Sequence, residues 1–209
     1  KKLLEKNNYN YEVGNVSAGS WGPGNWLSHI IERGIYGADI IILVISSHDW
    51  LDNPTYESIK NNIHLPTKKP NFATEELIKR YIFPKIKKTF NSKNQQKNKQ
   101  LIIDSKKGLN DLKQFISIVR EKDAEIIVVQ FWDRDEFNNG KPKEGNLQIK
   151  KVLKDKKVKN IDSVDRFRKC SKNPKDLYFD EIHPFTKLGQ KCLGYVLFEA
   201  FQKTKFFNK

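Results

Sequence analysis

Asp180 and His183 are the residues whose types and spacing best suit chemistry. They stand three apart in Phe179-Asp180-Glu181-Ile182-His183-Pro184. A short turn of that length brings a carboxylate up to an imidazole. The carboxylate accepts a hydrogen bond from one ring nitrogen, and the other is left to take a proton from a nucleophile. The same spacing also suits a structural turn, with Asp180 capping backbone N–H groups ahead of the closing helix. The choice depends on what else the chain brings to that place.

Such a pair needs a rigid scaffold. The run at 38–45 is continuous, β-branched and apolar, and 124–131 reads as a second buried strand. Runs of this kind fit strands buried on both faces of a parallel sheet. Shorter strands are expected at 11–17 and 158–161. Helical patterns fall at 1–8, 25–34, 72–90, 109–122, 145–155 and 186–201. The helix at 109–122 gathers Leu112, Phe115, Ile116 and Val119 on one face. Residues 46–70 read as a long irregular loop, and the polar tract at 91–99 as a solvated excursion.

Strands alternating with helices predict an α/β domain, a flavodoxin-like three-layer α/β/α sandwich around a parallel sheet. Ligands of such sheets sit beyond the carboxyl ends of the strands. The Gly19-Ser20-Trp21-Gly22 turn, Ser46-Ser47-His48-Asp49 and Trp132-Asp133-Arg134-Asp135 all fall there. The Asp180/His183 pair completes the ring.

Composition narrows the partners. The 209 residues suffice for one domain with a sizeable core, and residues 1–209 are read as a single domain. The net charge of +14 comes from 39 Lys and Arg against 25 Asp and Glu. These lysines are scattered among Asn and Ile rather than interleaved with aromatics, so no nucleic-acid partner is expected. No apolar run is long enough to cross a membrane. Cys170 and Cys192 form no C-x-x-C pair, and Cys192 reads as a buried thiol. The four histidines form no ligand-spaced pair, so no metal and no cofactor are expected. The chain holds no Met and opens Lys1-Lys2-Leu3-Leu4, which leads to the expectation that its natural start is missing. Cytoplasmic and bacterial-envelope locations both stay open.

Three blocks of the chain resemble those of the SGNH hydrolases, also called GDSL esterases and lipases. Asn15-Val16-Ser17-Ala18-Gly19-Ser20 resembles the family's second block, Ser46-Ser47-His48-Asp49 its third, and Asp180-Glu181-Ile182-His183-Pro184 its last. The resemblance covers nearly the whole chain. The first block, Gly-Asp-Ser, is absent, and with it the first strand and the nucleophile. Ser20 stands where the family has Gly, and His48 where it has the oxyanion-binding Asn.

The resemblance implies a serine esterase acting on a small acyl ester, such as an O-acetyl group on a carbohydrate. His183 would be the general base, Asp180 its orienting partner, and the Ser20 N–H and the His48 ring two oxyanion donors. The nucleophile would lie upstream, leaving this fragment inactive. Ser17, Ser20, Ser46 and Ser47 are the alternatives within the chain. An O-acyltransferase on the same fold, or a non-catalytic polysaccharide-binding module, are the other readings. Trp21, Trp26 and Trp50 fall near the site, as sugar-stacking faces or as core.

Overall fold

The computed structural model describes residues 1–53, 72, 74, 78 and 94–207, apart from the side chains of 94–103. Most of the helical pattern at 72–90 and most of the expected 46–70 loop lie outside the described residues. The chain divides into two compact units, Lys1–Asn53 with Asp104–Lys209, and Pro54–Ile103. The first unit holds the described strands and the sites below.

Strands β1 (Ile40–Ser46), β2 (Glu125–Phe131) and β3 (Lys159–Asp162) form a parallel sheet in the order β1-β2-β3. Ile40 lies opposite Glu125 and Ser46 opposite Phe131, so the first two strands end level with each other. The helices are α1 (Lys2–Lys6), α2 (Pro23–Arg33), α3 (Asn94–Glu121), α4 (Arg134–Asn139), α5 (Glu144–Asp155), α6 (Val164–Cys170) and α7 (Lys187–Gln202).

The period of two along β2 builds both layers. Ile126 and Val128 face a core with Leu43 and Ile45 of β1, Leu27 and Ile30 of α2, Leu112 and Ile116 of α3, and Ile149 and Leu153 of α5. Ile127 and Val129 face the opposite core, with Ile161, Phe167 of α6, and Cys192, Val196 and Ala200 of α7. Each fully buried Ile, Leu or Val contributes about 1.5–3 kcal/mol relative to exposure. This is the flavodoxin-like α/β arrangement expected from the alternation of strands and helices.

Several local expectations need correction. Residues 11–17 form no strand; they are irregular and largely exposed, with Val13 and Val16 in solvent. A strand needs a neighbour to pair its N–H and C=O groups, and none lies beside this segment among the described residues. The segment is held by its aromatics instead: Tyr9 and Tyr11 pack on Phe201, and the Tyr11 hydroxyl donates to the Phe206 carbonyl at 2.9 Å. The polar tract at 91–99 is no loop excursion from residue 94 onward, because 94–99 form the first turns of α3. Its Gln, Lys and Asn side chains carry no breaker, so the helix of 109–122 extends back through them.

The cysteines also differ from expectation. Cys192 is buried as foreseen but is not a thiol: it is disulfide-bonded to Cys170. Packing of α6 against α7 brings the two Cα atoms to 6.4 Å, a normal span for the bridge.

Candidate active site

The segment after Phe179 folds into the turn that its sequence suggested, and Asp180 serves both readings of it. Its Oδ1 accepts from the Ile182 and His183 backbone N–H groups at 2.7 and 2.6 Å. Its Oδ2 lies 2.8 Å from His183 Nδ1. The Phe179 N–H closes the turn by donating to the His183 carbonyl at 2.9 Å. One oxygen thus fixes the backbone while the other orients the ring. Burial opposes the Asp180 charge, but the hydrogen bonds from the His183 N–H, the His183 ring and the Ile182 N–H outweigh it. They hold the carboxyl down at about 2. Phe185 stacks on the His183 ring, with centroids 4.7 Å apart and planes at 23°.

His48 arrives from the other side of the site. β1 ends at Ser46, and the chain turns through Ser47 and His48 into a 3₁₀ turn at Asp49–Leu51. The Asp49 carboxylate accepts from the Ser46 N–H at 2.5 Å, which sets the turn. Burial pushes the Asp49 carboxyl up, against the opposing effect of the His48 ring. His48 Nδ1 lies 2.6 Å from Ser46 Oγ. When that hydroxyl donates, the ring proton resides on Nε2, the tautomer a donor role needs. The His48 ring meets the His183 ring edge to face, with centroids 6.0 Å apart. Two residues far apart in sequence therefore share one site at the carboxyl end of β1.

The His48 turn is clamped by close backbone approaches. A Cβ on Gly145 of α5 would lie 1.9 Å from the Ser47 carbonyl oxygen, and one on Gly22 would lie 1.9 Å from that of Asp52. Glycine at these two positions lets α5 and the start of α2 seat directly on the turn. The Gly22 contact also brings the Ser20 segment up to the His48 turn.

Ser20 has φ +59°, in the left-handed region that favours glycine, matching the family's Gly at that place. Ser20 is exposed, and its N–H has no hydrogen-bond partner among the described residues. No contact between Ser20 and either histidine is seen among the described residues.

Behind the turn lies a buried polar network that spacing alone did not reveal. The Ser47 hydroxyl donates to Glu136 Oε2 at 3.0 Å. Glu136 also accepts from the Asp133 N–H, the Lys143 N–H and the Asn146 amide, and it is 1% exposed. Asp133 and Glu136 form the capping box of α4, and Lys143 Nζ reaches Asp133 at 2.6 Å. The Trp132-Asp133-Arg134-Asp135 group thus braces the His48 turn rather than lining the reacting centre. Its readable signal was the Asp133-x-x-Glu136 spacing. Tyr178 donates to the Trp132 carbonyl at 2.7 Å, and the Arg134 N–H donates to the Glu181 carbonyl at 2.9 Å. These two bonds tie the Asp180–His183 turn to the same frame.

Three of the four candidate serines are otherwise engaged, while Ser20 is exposed and its hydroxyl has no partner among the described residues. Ser46 is fully buried against His48, Ser47 is committed to Glu136, and Ser17 donates to Asn15. None of the described serine hydroxyls is hydrogen-bonded to His183. For a cation, the described residues offer one group, His48, Asp49 and Asp52, with ligand atoms within 4.8 Å of one another. Asp49 Oδ1 and Asp52 Oδ2 lie 3.4 and 3.7 Å from His48 Nε2. Comparison of the chain with protein-family models, with curated proteins and with solved structures finds no match.

Proposed function

We propose that the chain is the greater part of a serine ester hydrolase of the SGNH type, acting on a small acyl ester such as an O-acetyl group on a carbohydrate. The observation that carries the reading is the meeting of the Asp180–His183 pair with His48 beyond the end of β1. His183, oriented through Nδ1 by Asp180, takes the nucleophile's proton at Nε2 and returns it to the leaving alcohol. Asp180 stays ionised throughout, as its depressed pKa supports. Negative charge developing on the carbonyl oxygen is met by the Ser20 N–H and by His48 Nε2–H. The nucleophile is assigned to a serine of the family's Gly-Asp-Ser block, which these 209 residues do not contain; among their own described serines none is hydrogen-bonded to His183.

The Cys170–Cys192 bond supports an oxidising compartment, and with it an extracytoplasmic glycan as the alcohol component. One observation favours the non-catalytic alternative, a polysaccharide-binding module. The Asp49 and Asp52 carboxylates flank His48 Nε2, where an oxyanion would otherwise be received. An O-acyltransferase would use the same residues, with a second alcohol in place of water.

Hydrolysis of p-nitrophenyl acetate tests the reading. A polypeptide joining these residues to a Gly-Asp-Ser strand turns the ester over, and His183→Asn abolishes turnover. Equal rates from parent and variant contradict an esterase built on His183.

A further inference from the structure

A cavity of about 340 Å³ is lined by Phe137, Asn138, Arg168 and Lys172, residues of α4 and of α6 and its C-terminal end. Two cations face it, and neither is in an ion pair among the described residues. The Arg168 guanidinium lies 5.9 Å from the centroid of the Trp132 ring and 5.9 Å from that of Phe137. Aromatic faces hold a guanidinium in place while leaving its N–H donors unspent, and those donors match the two oxygens of a carboxylate or phosphate. Gly140, in the left-handed conformation that ends α4, lies next to the Arg168 side chain. The frame is shared with the catalytic turn, because the Phe137 ring packs on Tyr178 at 5.8 Å and α4 begins where Arg134 binds Glu181.

We propose that Arg168 and Lys172 form an anion subsite that holds a carboxylate or phosphate of an acidic glycan while another part of that glycan presents its ester to His183. Two unpaired cations at a concave place are what a sugar-borne anion needs: charge and fork geometry from Arg168, and a second positive charge from Lys172. The net charge of +14 adds long-range attraction for such a polyanion. The catalytic role of the subsite rests on the esterase reading, but the binding does not.

The test is therefore binding without turnover. The 209-residue protein is titrated with inorganic phosphate and, separately, with glucuronate, at constant ionic strength against sodium chloride, and followed by amide NMR. At least one of the two anions shifts the amides of residues 137–140 and 168–172 saturably, with a dissociation constant on the order of millimolar. Arg168→Gln with Lys172→Ala weakens that binding by roughly tenfold or more. Both side chains are exposed, so the double variant stays folded, its unfolding midpoint lowered by no more than the loss of the Arg168 ring contacts. Phosphate binding alone points to a phosphate-bearing polymer, and glucuronate binding alone to a uronate polymer. Shifts no larger than those from chloride, or equal affinity in the double variant, overturn the subsite. Failure of p-nitrophenyl acetate hydrolysis leaves this result untouched and bears only on the esterase reading.

Discussion

Replacing Asp180 by Ala and by Asn separates its two tasks. Oδ1 caps two backbone N–H groups, a service worth about 1 kcal/mol. Oδ2 carries the charge that faces the His183 ring. Lowering its pKa from 3.8 to about 2 corresponds to at most roughly 2.4 kcal/mol. The side chain is 44% exposed, so solvent screening reduces this to about 1 kcal/mol. Because the folded-state pKa is depressed, this stabilisation is fully present above the unfolded value near 4 and is lost as the pH falls through about 2. At pH 7 Asp180→Ala therefore loses both parts, about 2 kcal/mol. Asp180→Asn loses about half, since the amide oxygen still accepts the two N–H bonds. Urea denaturation followed by circular dichroism at pH 7 and at pH 2 reads both, and the Asn variant converges on the parent at pH 2. In the polypeptide that carries the nucleophile, Asp180→Asn also lowers kcat by about 10⁴. The Asn amide donates to Nδ1, holds the ring proton on Nε2 and removes the base. An Ala variant as stable as the parent at pH 7 refutes the capping geometry. An Asn variant with full turnover refutes the catalytic one.

His48→Asn keeps most of the activity, because an amide also supplies an N–H, whereas His48→Ala loses about 10²-fold; steady-state rates on p-nitrophenyl acetate decide it. Gly145→Ala drives a methyl into the Ser47 carbonyl and destabilises by about 1–3 kcal/mol or more, read as a fall in Tm; an unchanged Tm contradicts the close approach. Glu136→Leu strands the Ser47 hydroxyl, the Asn146 amide and two backbone N–H groups, costing about 3 kcal/mol or more in urea melts. Reducing the Cys170–Cys192 bond, which spans 22 residues, lowers stability by about 2–4 kcal/mol; two thiols titrating in the native protein without reductant would contradict the bond.

What could be read from sequence was mostly local. The strands at 40–45 and 125–131 stood out because each is built on a β-branched apolar run, 40–45 throughout its length except Leu43 and 125–131 at Ile126 to Val129, the mark of burial on both faces. The Asp180/His183 pair was legible because three residues of chain suffice to close it. Residues 11–17 misled because strand-like alternation states a preference, while a strand exists only beside a partner. Helix α4 was missed because it spans six residues, and its signal is a capping box rather than an apolar stripe. The Cys170–Cys192 bond and the Ser47–Glu136 link join residues whose meeting depends on how helices pack, which spacing does not encode. Asp52 was passed over although it stands four residues after His48, because the long loop reading gave no turn to bring them together.

The central claim is that His183, oriented by Asp180, activates a serine from a Gly-Asp-Ser strand outside these 209 residues. The most direct measurement is fluorophosphonate labelling of a polypeptide containing both, with the modified residue mapped by mass spectrometry. The account predicts a label on the Ser of Gly-Asp-Ser, lost in His183→Asn, and no label on the 209 residues alone. A label on Ser17, Ser20, Ser46 or Ser47, or one that persists in His183→Asn, would contradict it.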